Sequence, residues 1–392
     1  MRGRYARALF ACMGVVGVLG AVGALLACDP FHRDYPGMSP NPTPPAIRAP
    51  GFLPLPDLPG VIESPPFRQN NGAYQILSQQ IVPDSHFEMS VSWLDGTDRR
   101  DIALKYPCDD GQTAVSADGL WLACLVNGAP YGEDSYLEVA SLSASGPPRH
   151  AAIRLDAATD YRLPVWAPDG TYLALMRSPH KTDMTGACSV QIFALSSDHS
   201  SATLRTTLTA SDPSACAIAR LGWSSDGARL LILAYAPVKP DANGSIARGP
   251  LLVDTQVPVG ALLQAGTSAV TIPAADFTSL GRLPGSGSNA GGFHPYAFQY
   301  AWNPVSGALA IISGGSLFTR TTAQAQIVEY LPGQRATQTL FTLPLTGFKN
   351  FTLVGLDWSS DGSSLLVGVG GIMCGECGVG VQNWYLYTPG DQ

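Results

Sequence analysis

The chain has 392 residues, among them 42 glycines and 32 prolines, with 45% hydrophobic and only 14% charged positions. Nearly a fifth of it is turn-forming, which excludes a coiled coil, a mostly helical bundle and a charged disordered tail. A formal charge of −7 and a pI near 5.3 leave no basic footprint for nucleic acid.

Arg2, Arg4 and Arg7 precede an uninterrupted apolar run from Ala8 to Ala27 that closes on Leu25-Leu26-Ala27-Cys28. A basic start before an apolar segment describes a secretory signal helix. An uncleaved anchor is the alternative at this length. Gly14, Gly17, Gly20 and Gly23 argue against it by lowering helix propensity. The ending resembles the lipobox of bacterial lipoproteins. That resemblance implies cleavage after residue 27, lipidation of Cys28 and an extracytoplasmic protein held on the cell membrane by lipid. Residues 28–59 are then a tether. Twelve prolines from Pro30 to Pro66 fix φ and lack amide hydrogens, so the stretch reads as a semi-rigid polyproline II spacer of ~3.1 Å per residue.

Residues 60–392 are expected to form one repetitive domain. Val165-Trp166-Ala167-Pro168-Asp169-Gly170 runs into an apolar strand from Tyr172. Gly222-Trp223-Ser224-Ser225-Asp226-Gly227 and Asp357-Trp358-Ser359-Ser360-Asp361-Gly362 do the same before Leu230 and Leu365. Degenerate copies occur at Val115–Gly119, at Trp302–Gly307 with one extra residue, and at Phe67–Gly72. Asp-Gly is a hairpin signal: glycine accepts positive φ, and aspartate bonds its own backbone. The aromatic ahead of it is expected to wedge between neighbouring sheets. Alternating strands follow, such as Phe87, Met89, Val91 and Trp93, then a last strand, placed at Ile102–Tyr106, Leu204–Leu208 and Thr339–Leu343.

Markers at 67, 115, 166, 223, 302 and 358 give spacings of 48, 51, 57, 79 and 56. Four strands per period of this size describe an all-β, six-bladed β-propeller of four-stranded antiparallel blades, with five or seven blades as alternatives. The interval of 79 is ascribed to a Gly/Pro-rich insertion around Pro284–Pro295, a further degenerate blade being the alternative. The Trp-x-Pro/Ser-Asp-Gly turns resemble the WD40-like PD40 repeats of TolB-type six-bladed propellers, also found in prolyl-oligopeptidase-type peptidases. The chain departs from TolB in lacking a preceding α/β domain, and from the peptidases in lacking a hydrolase domain. Because it stops soon after a third strand, the ring is expected to be closed by a strand near Phe52–Leu55.

Six cysteines remain once Cys12 and Cys28 are set aside. An even number in an exported protein favours disulfides. The expected pairs are Cys108–Cys124, Cys188–Cys216 and Cys374–Cys377, with metal binding or thiol exchange as alternatives at Cys374-Gly375-Glu376-Cys377. No nucleophile elbow, P-loop, dinucleotide fingerprint or zinc-protease motif occurs. No catalytic residues, metal site or cofactor are predicted. Asp241, Asn243 and Gly244 read as a turn rather than a calcium loop. Phe293, His294 and Tyr296 form a candidate recognition surface, while Phe298 and Tyr300 are read as the start of an inner strand. The expectation is a monomeric, lipid-anchored module that binds a protein, peptide or glycan through its loop-rich face. The alternative is a hydrolase or lactonase-like enzyme with a site at the central channel.

Overall fold

Each Asp-Gly repeat folds into the same tight turn. The amides of Gly119, Gly170, Gly227 and Gly362 donate to the carbonyls of Ser116, Ala167, Ser224 and Ser359. These glycines have φ between +66° and +71°, while the aspartates before them do not enter the left-handed region. The turn is thus type I with a left-handed glycine closing it. The aspartate carboxylate accepts the amide two residues on, in Leu120, Thr171, Ala228 and Ser363. In three copies it also accepts a serine hydroxyl from two residues back. In the copy with one extra residue, Trp302–Gly307, Asn303 does this work, accepting the amides of Val305 and Ser306 while its carbonyl takes Gly307.

The computed structural model describes residues 47–390 except 48, 57–60, 63, 65, 69–72, 82–86, 110–111, 128–133, 144–148, 157–158, 180–188, 212–217, 237–250, 266–268, 274–275, 277, 282–299, 315–323, 332–335, 345–350 and 375–377. Six separate sheets follow one another along the chain, an all-β ring of six blades. Blade one is β2 (Val61–Ile62) and β3 (Phe67–Arg68) side by side on β4 (Tyr74–Ile81), then β5 (Phe87–Trp93) and β6 (Arg100–Asp101). Blade two is β7 (Thr113–Val115), β8 (Trp121–Val126), β9 (Tyr136–Ser141) and β10 (His150–Arg154). Blade three is β11 (Thr159–Trp166), β12 (Tyr172–Pro179), β13 (Ser189–Leu195) and β14 (Ala202–Ala210). Blade four is β15 (Ile218–Trp223), β16 (Arg229–Ala236), β17 (Leu251–Pro258) and β19 (Thr278–Gly281). Blade five is β20 (Tyr300–Trp302), β21 (Leu309–Gly314), β22 (Gln324–Leu331) and β23 (Ala336–Pro344). Blade six is β24 (Phe351–Trp358), β25 (Leu365–Cys374) and β26 (Gly378–Tyr387), completed by β1 (Phe52–Pro54).

The closing strand lies where the sequence placed it, pairing Phe52 with Tyr387 and Pro54 with Tyr385. Phe52 packs in tilted ring contacts against Phe341 and Tyr387 at centroid distances of 4.3 and 4.6 Å. Ile47 is already buried in the same core, so the chain joins the ring before residue 60.

Two expectations need correcting. The long interval of 79 does not come from the 282–299 stretch alone. Between β17 and β19 the chain also forms a short helix, Gly260–Ala265, and β18 (Val270–Ile272). β18 leaves its own blade and pairs in parallel with β14, giving blade three a fifth strand. Val259, Leu263 and Ile272 are buried there with Leu208, and this apolar anchoring explains the excursion. The fourth strand of blade one is Arg100–Asp101, not Ile102–Tyr106. After Ile102 bonds Met89 the segment leaves the ladder, and Ile102, Leu104 and Tyr106 pack against the core between blades one and two.

The tryptophans act as wedges. Trp166, Trp223, Trp302 and Trp358 are buried between their own blade and the one before. The indole nitrogens of Trp166 and Trp223 donate to the carbonyls of Ala114 and Val165 on the preceding inner strand. Trp302 lies so close to Gly222 that a Cβ there would stand 2.6 Å from its ring, which explains the glycine. Burying such a side chain removes its whole apolar surface from water, and with its ring contacts each is among the largest single contributions to the ring.

Candidate functional site

Strand direction gives the ring two unlike faces. Inner strands run into the Asp-Gly turns, so those turns share one face with the hairpins between third and fourth strands. Connections between second and third strands, and between blades, emerge on the other face. Segments 180–188, 237–250, 282–299 and 315–323 join strand ends on this second, loop-rich face. β1 is antiparallel to β26 and therefore runs in the sense of β25, away from the Asp361-Gly362 turn. The chain arrives at Gly51, which accepts the amide of Thr388, on the turn face.

The inner strands β7, β11, β15, β20 and β24 neighbour one another around the axis. Three of them carry register shifts against the second strands of their blades, β12, β16 and β25: Arg162/Val165 in β11, Ile218/Arg220 in β15 and Leu353/Gly355 in β24. A bulge re-aims a side chain and breaks strict alternation. Leu163 has φ +53°, and its amide donates to Gln112 Oε1 of the neighbouring blade at 2.8 Å. Arg220 Nη2 meets Asp357 Oδ2 at 2.7 Å, both side chains about a quarter exposed or less. β15 and β24 are separated in the ring by β20, so this charge-assisted bond reaches across the centre of the ring from blade four to blade six.

At the loop-rich end of blades two and three the groups are polar. Asn127, just beyond β8, donates its amide nitrogen to Asp109 Oδ2 at 3.0 Å and to the Tyr161 carbonyl at 2.7 Å. Its Oδ1 accepts the Tyr161 amide. Ser135 bonds both Asn127 and the Thr159 carbonyl. The buried Tyr161 hydroxyl donates to Gln191 at 3.1 Å. Burial, reinforced by the charge of Asp156, pushes the Tyr161 phenol up. Arg177 stands 3.8 Å from Asp156, and Arg162 3.9 Å from Asp160. The arrangement positions backbone and carries several donors and acceptors to one rim. Among the described residues no group of three or more His, Cys, Asp or Glu side chains could hold a metal ion.

The predicted turn residues Trp166, Asp169, Gly170, Trp223, Asp226, Gly227, Trp302, Gly307, Trp358, Asp361 and Gly362 all sit in the turns and wedges described above. Cys108 and Cys124 form a disulfide with Cα atoms 5.6 Å apart, fastening the blade one–two connection to β8. Cys28, Cys188, Cys216 and Cys377 lie outside the described residues, as does the side chain of Cys374, which ends β25. Phe293, His294, Tyr296 and Phe298, in 282–299, are outside them too, and so are Asp241, Asn243 and Gly244. Tyr300 is buried in β20 as expected of an inner strand.

Sequence reading missed the charged pair at the centre of the ring. The usable signal was Asp357, charged where the other copies have Ala114, Val165, Gly222 and Ala301 ahead of the marker, together with Arg220 on another inner strand.

No family model matches the chain, and no curated protein matches it. Among solved structures it is similar to a TolB-designated protein from Agrobacterium tumefaciens, at 14% identity over 73% of this chain and 82% of that one, TM-score 0.39. It is similar to an oligogalacturonate lyase from Vibrio parahaemolyticus at 10% identity over 84% and 78%, TM-score 0.45. It is likewise similar to a GH93 α-L-arabinofuranosidase from Fusarium graminearum at 11% identity over 86% and 97%, TM-score 0.49. The propeller assignment itself rests on the six sheets and their strand order.

Proposed function

We propose that this protein is a lipid-anchored, extracytoplasmic propeller that binds a protein, peptide or glycan through its loop-rich face. The observation that carries the reading is the entry of β1 from the turn face. A tether from Cys28 then reaches the body on the face opposite the long connections, leaving them pointed away from the membrane. Loops on a rigid scaffold are the usual place for recognition, because they vary without disturbing the core. The leader, the Leu-Leu-Ala-Cys ending and the proline-rich 28–59 segment support the anchoring half of the reading.

The test has two arms. A palmitate analogue fed to expressing cells is expected to label the wild-type protein and not Cys28→Ser, and the substitution should release the body from membranes. Photo-crosslinkers placed at Asp156 on the loop-rich rim and at Ser225 on the turn face should capture partner only from position 156. Capture from 225 instead refutes the assigned face.

A second reading is favoured by one feature, the Arg220–Asp357 pair at the centre of the ring. A carboxylate held there by a guanidinium is the kind of group a propeller hydrolase or lactonase-like enzyme would use. Hydrolysis of ester, lactone or glycoside substrates by wild type but not by Asp357→Asn would move the assignment to that enzyme class.

A further inference from the structure

Tyr161, Arg177 and Ser189 are cross-strand partners on β11, β12 and β13, at the loop-rich end of blade three. Directly paired residues share one face of a sheet. Here it is the face toward blade two: Tyr161 and Leu175, two residues before Arg177, lie in one apolar core with Leu125, Leu137 and Val139. The row therefore forms the lip of the slot between the two blades. Ser189 is the first residue of β13 and is only 5% exposed.

Hydrogen-bond demand in this slot is unbalanced. An arginine carries five N–H donors and no acceptor. Arg177 reaches Thr159 Oγ1 only at 3.5 Å, and its buried Nε meets no hydrogen-bond partner among the described residues. Ser189 Oγ is likewise buried without one. The Tyr161 hydroxyl donates to Gln191 Oε1, so that acceptor is already taken. Asp156, between β10 and β11, stands 3.8 Å from Arg177 Nε, within ion-pair range but too far for a hydrogen bond. Its side chain is 65% exposed, against 38% for Arg177. Buried donors left unmade cost free energy, so a slot that holds two on paired residues is shaped for an acceptor from outside.

We infer that this slot is a carboxylate-binding subsite, and that its occupant is the carboxylate of a peptide or protein partner. The inference rests on the loop-rich face being the recognition face, and it names the chemistry recognised there. A planar carboxylate accepts two parallel N–H bonds from a guanidinium edge, a match that a neutral amide or hydroxyl does not make. The incoming group takes the place of Asp156 over Arg177, and the Ser189 hydroxyl supplies a further donor. Asp156 balances the charge of Arg177, which disfavours a phosphate dianion. Tyr161 is 1% exposed, leaving no ring face open for a sugar to stack on, and this favours a peptide carboxylate over an acidic glycan.

Ligand-observed NMR titration of the full-length protein with acetyl-glycyl-glycine, which ends in a free carboxylate, tests this. The peptide is expected to bind, and its C-terminal amide to bind about tenfold more weakly. Arg177→Lys should weaken the peptide roughly tenfold, because an ammonium cannot offer the planar pair of bonds. Ser189→Ala should weaken it about threefold. Asp156→Asn removes the internal competitor and should tighten binding about two- to fivefold, a gain that a misfolded variant cannot imitate. Equal binding of peptide and amide, unchanged affinity in Arg177→Lys, or looser binding in Asp156→Asn overturns the subsite. Tighter binding of glucuronate or inorganic phosphate than of the peptide overturns the assigned occupant. Partner capture from position 156 without peptide binding refutes the subsite and leaves the recognition face standing, whereas peptide binding without capture does the reverse.

Discussion

The contact between blades three and four and the contact between blades six and one close the same ring by different physics. Between three and four, Trp223 is buried with Met176, Val190, Ile192, Leu208, Leu221, Leu230 and Ile232, and the helix and β18 add Leu263 and Ile272. Between six and one the described apolar core is Ile62, Ile76 and Leu366, flanked by Leu55, Leu94 and Trp384. Polar groups carry this seam. Tyr74 donates from blade one to Asp361 of blade six, and the Ser360 amide donates to the Pro66 carbonyl. Ser78 and Ser90 bond each other nearby, and Ser64 accepts the Leu77 amide. The cause is visible in the wedges. Every tryptophan marker packs back on the preceding blade, but Phe67 turns forward into the core between blades one and two. A ring can thus be apolar at its strongest joint and hydrogen-bonded where its first and last blades meet.

The largest effect belongs to the apolar joint. Trp223→Ala should lower unfolding free energy by about 3–5 kcal/mol in chemical denaturation, because the neighbours cannot collapse into so large a space. Glycine substitutions sharpen the contrast between crowded and open turns. Gly362 and Gly170 share nearly the same positive φ, but a Cβ at Gly362 would stand 2.5 Å from Asn303 Oδ1 whereas one at Gly170 meets nothing within 4 Å. Gly362→Ala should therefore cost about 1 kcal/mol or more beyond Gly170→Ala, measured as the difference in thermal midpoints. At the seam, Tyr74→Phe removes one hydroxyl and should cost about 1 kcal/mol. The smallest effect is electrostatic. At Asp361, burial pushes the carboxyl up, but hydrogen bonds from Ser359, Ser363 and Tyr74 outweigh it and leave the group below its ordinary value. A depressed carboxylate contributes stability above its unfolded value and loses it as pH falls through the folded one. An NMR titration should show Asp361 moving upward in Tyr74→Phe, with the acid limb of the stability profile becoming shallower. Asp198, held at about 2 by Ser196 and Ser200 on blade three, should not move.

The ring was legible because its turns are local. Asp169, Gly170, Asp226 and Gly227 specify dihedrals and side-chain bonds within four residues, and Trp166 and Trp223 are large enough to mark every interface they enter. The closing strand could be inferred because the last blade required a fourth strand. Long-range choices left weaker traces. Nothing in Val270-Thr271-Ile272 says that it pairs with β14 rather than with its own blade. Arg220 and Asp357 are 137 positions apart and meet only through ring curvature. Glu138 reads as the polar member of an alternating strand, yet it lies in the interior, opposite Ala152 of β10 and Cys124 of β8.

The parallel crossing of β18 has an evolutionary and an engineering consequence. Propellers are commonly pictured as beads that duplicate, shuffle or be cut apart one at a time. Here the fourth bead lends a strand to the rim of the third, so neither is a self-sufficient unit of inheritance. New termini opened between β14 and β15 would leave that loan in place as a clasp, and a permuted chain cut there has a built-in splint across its break.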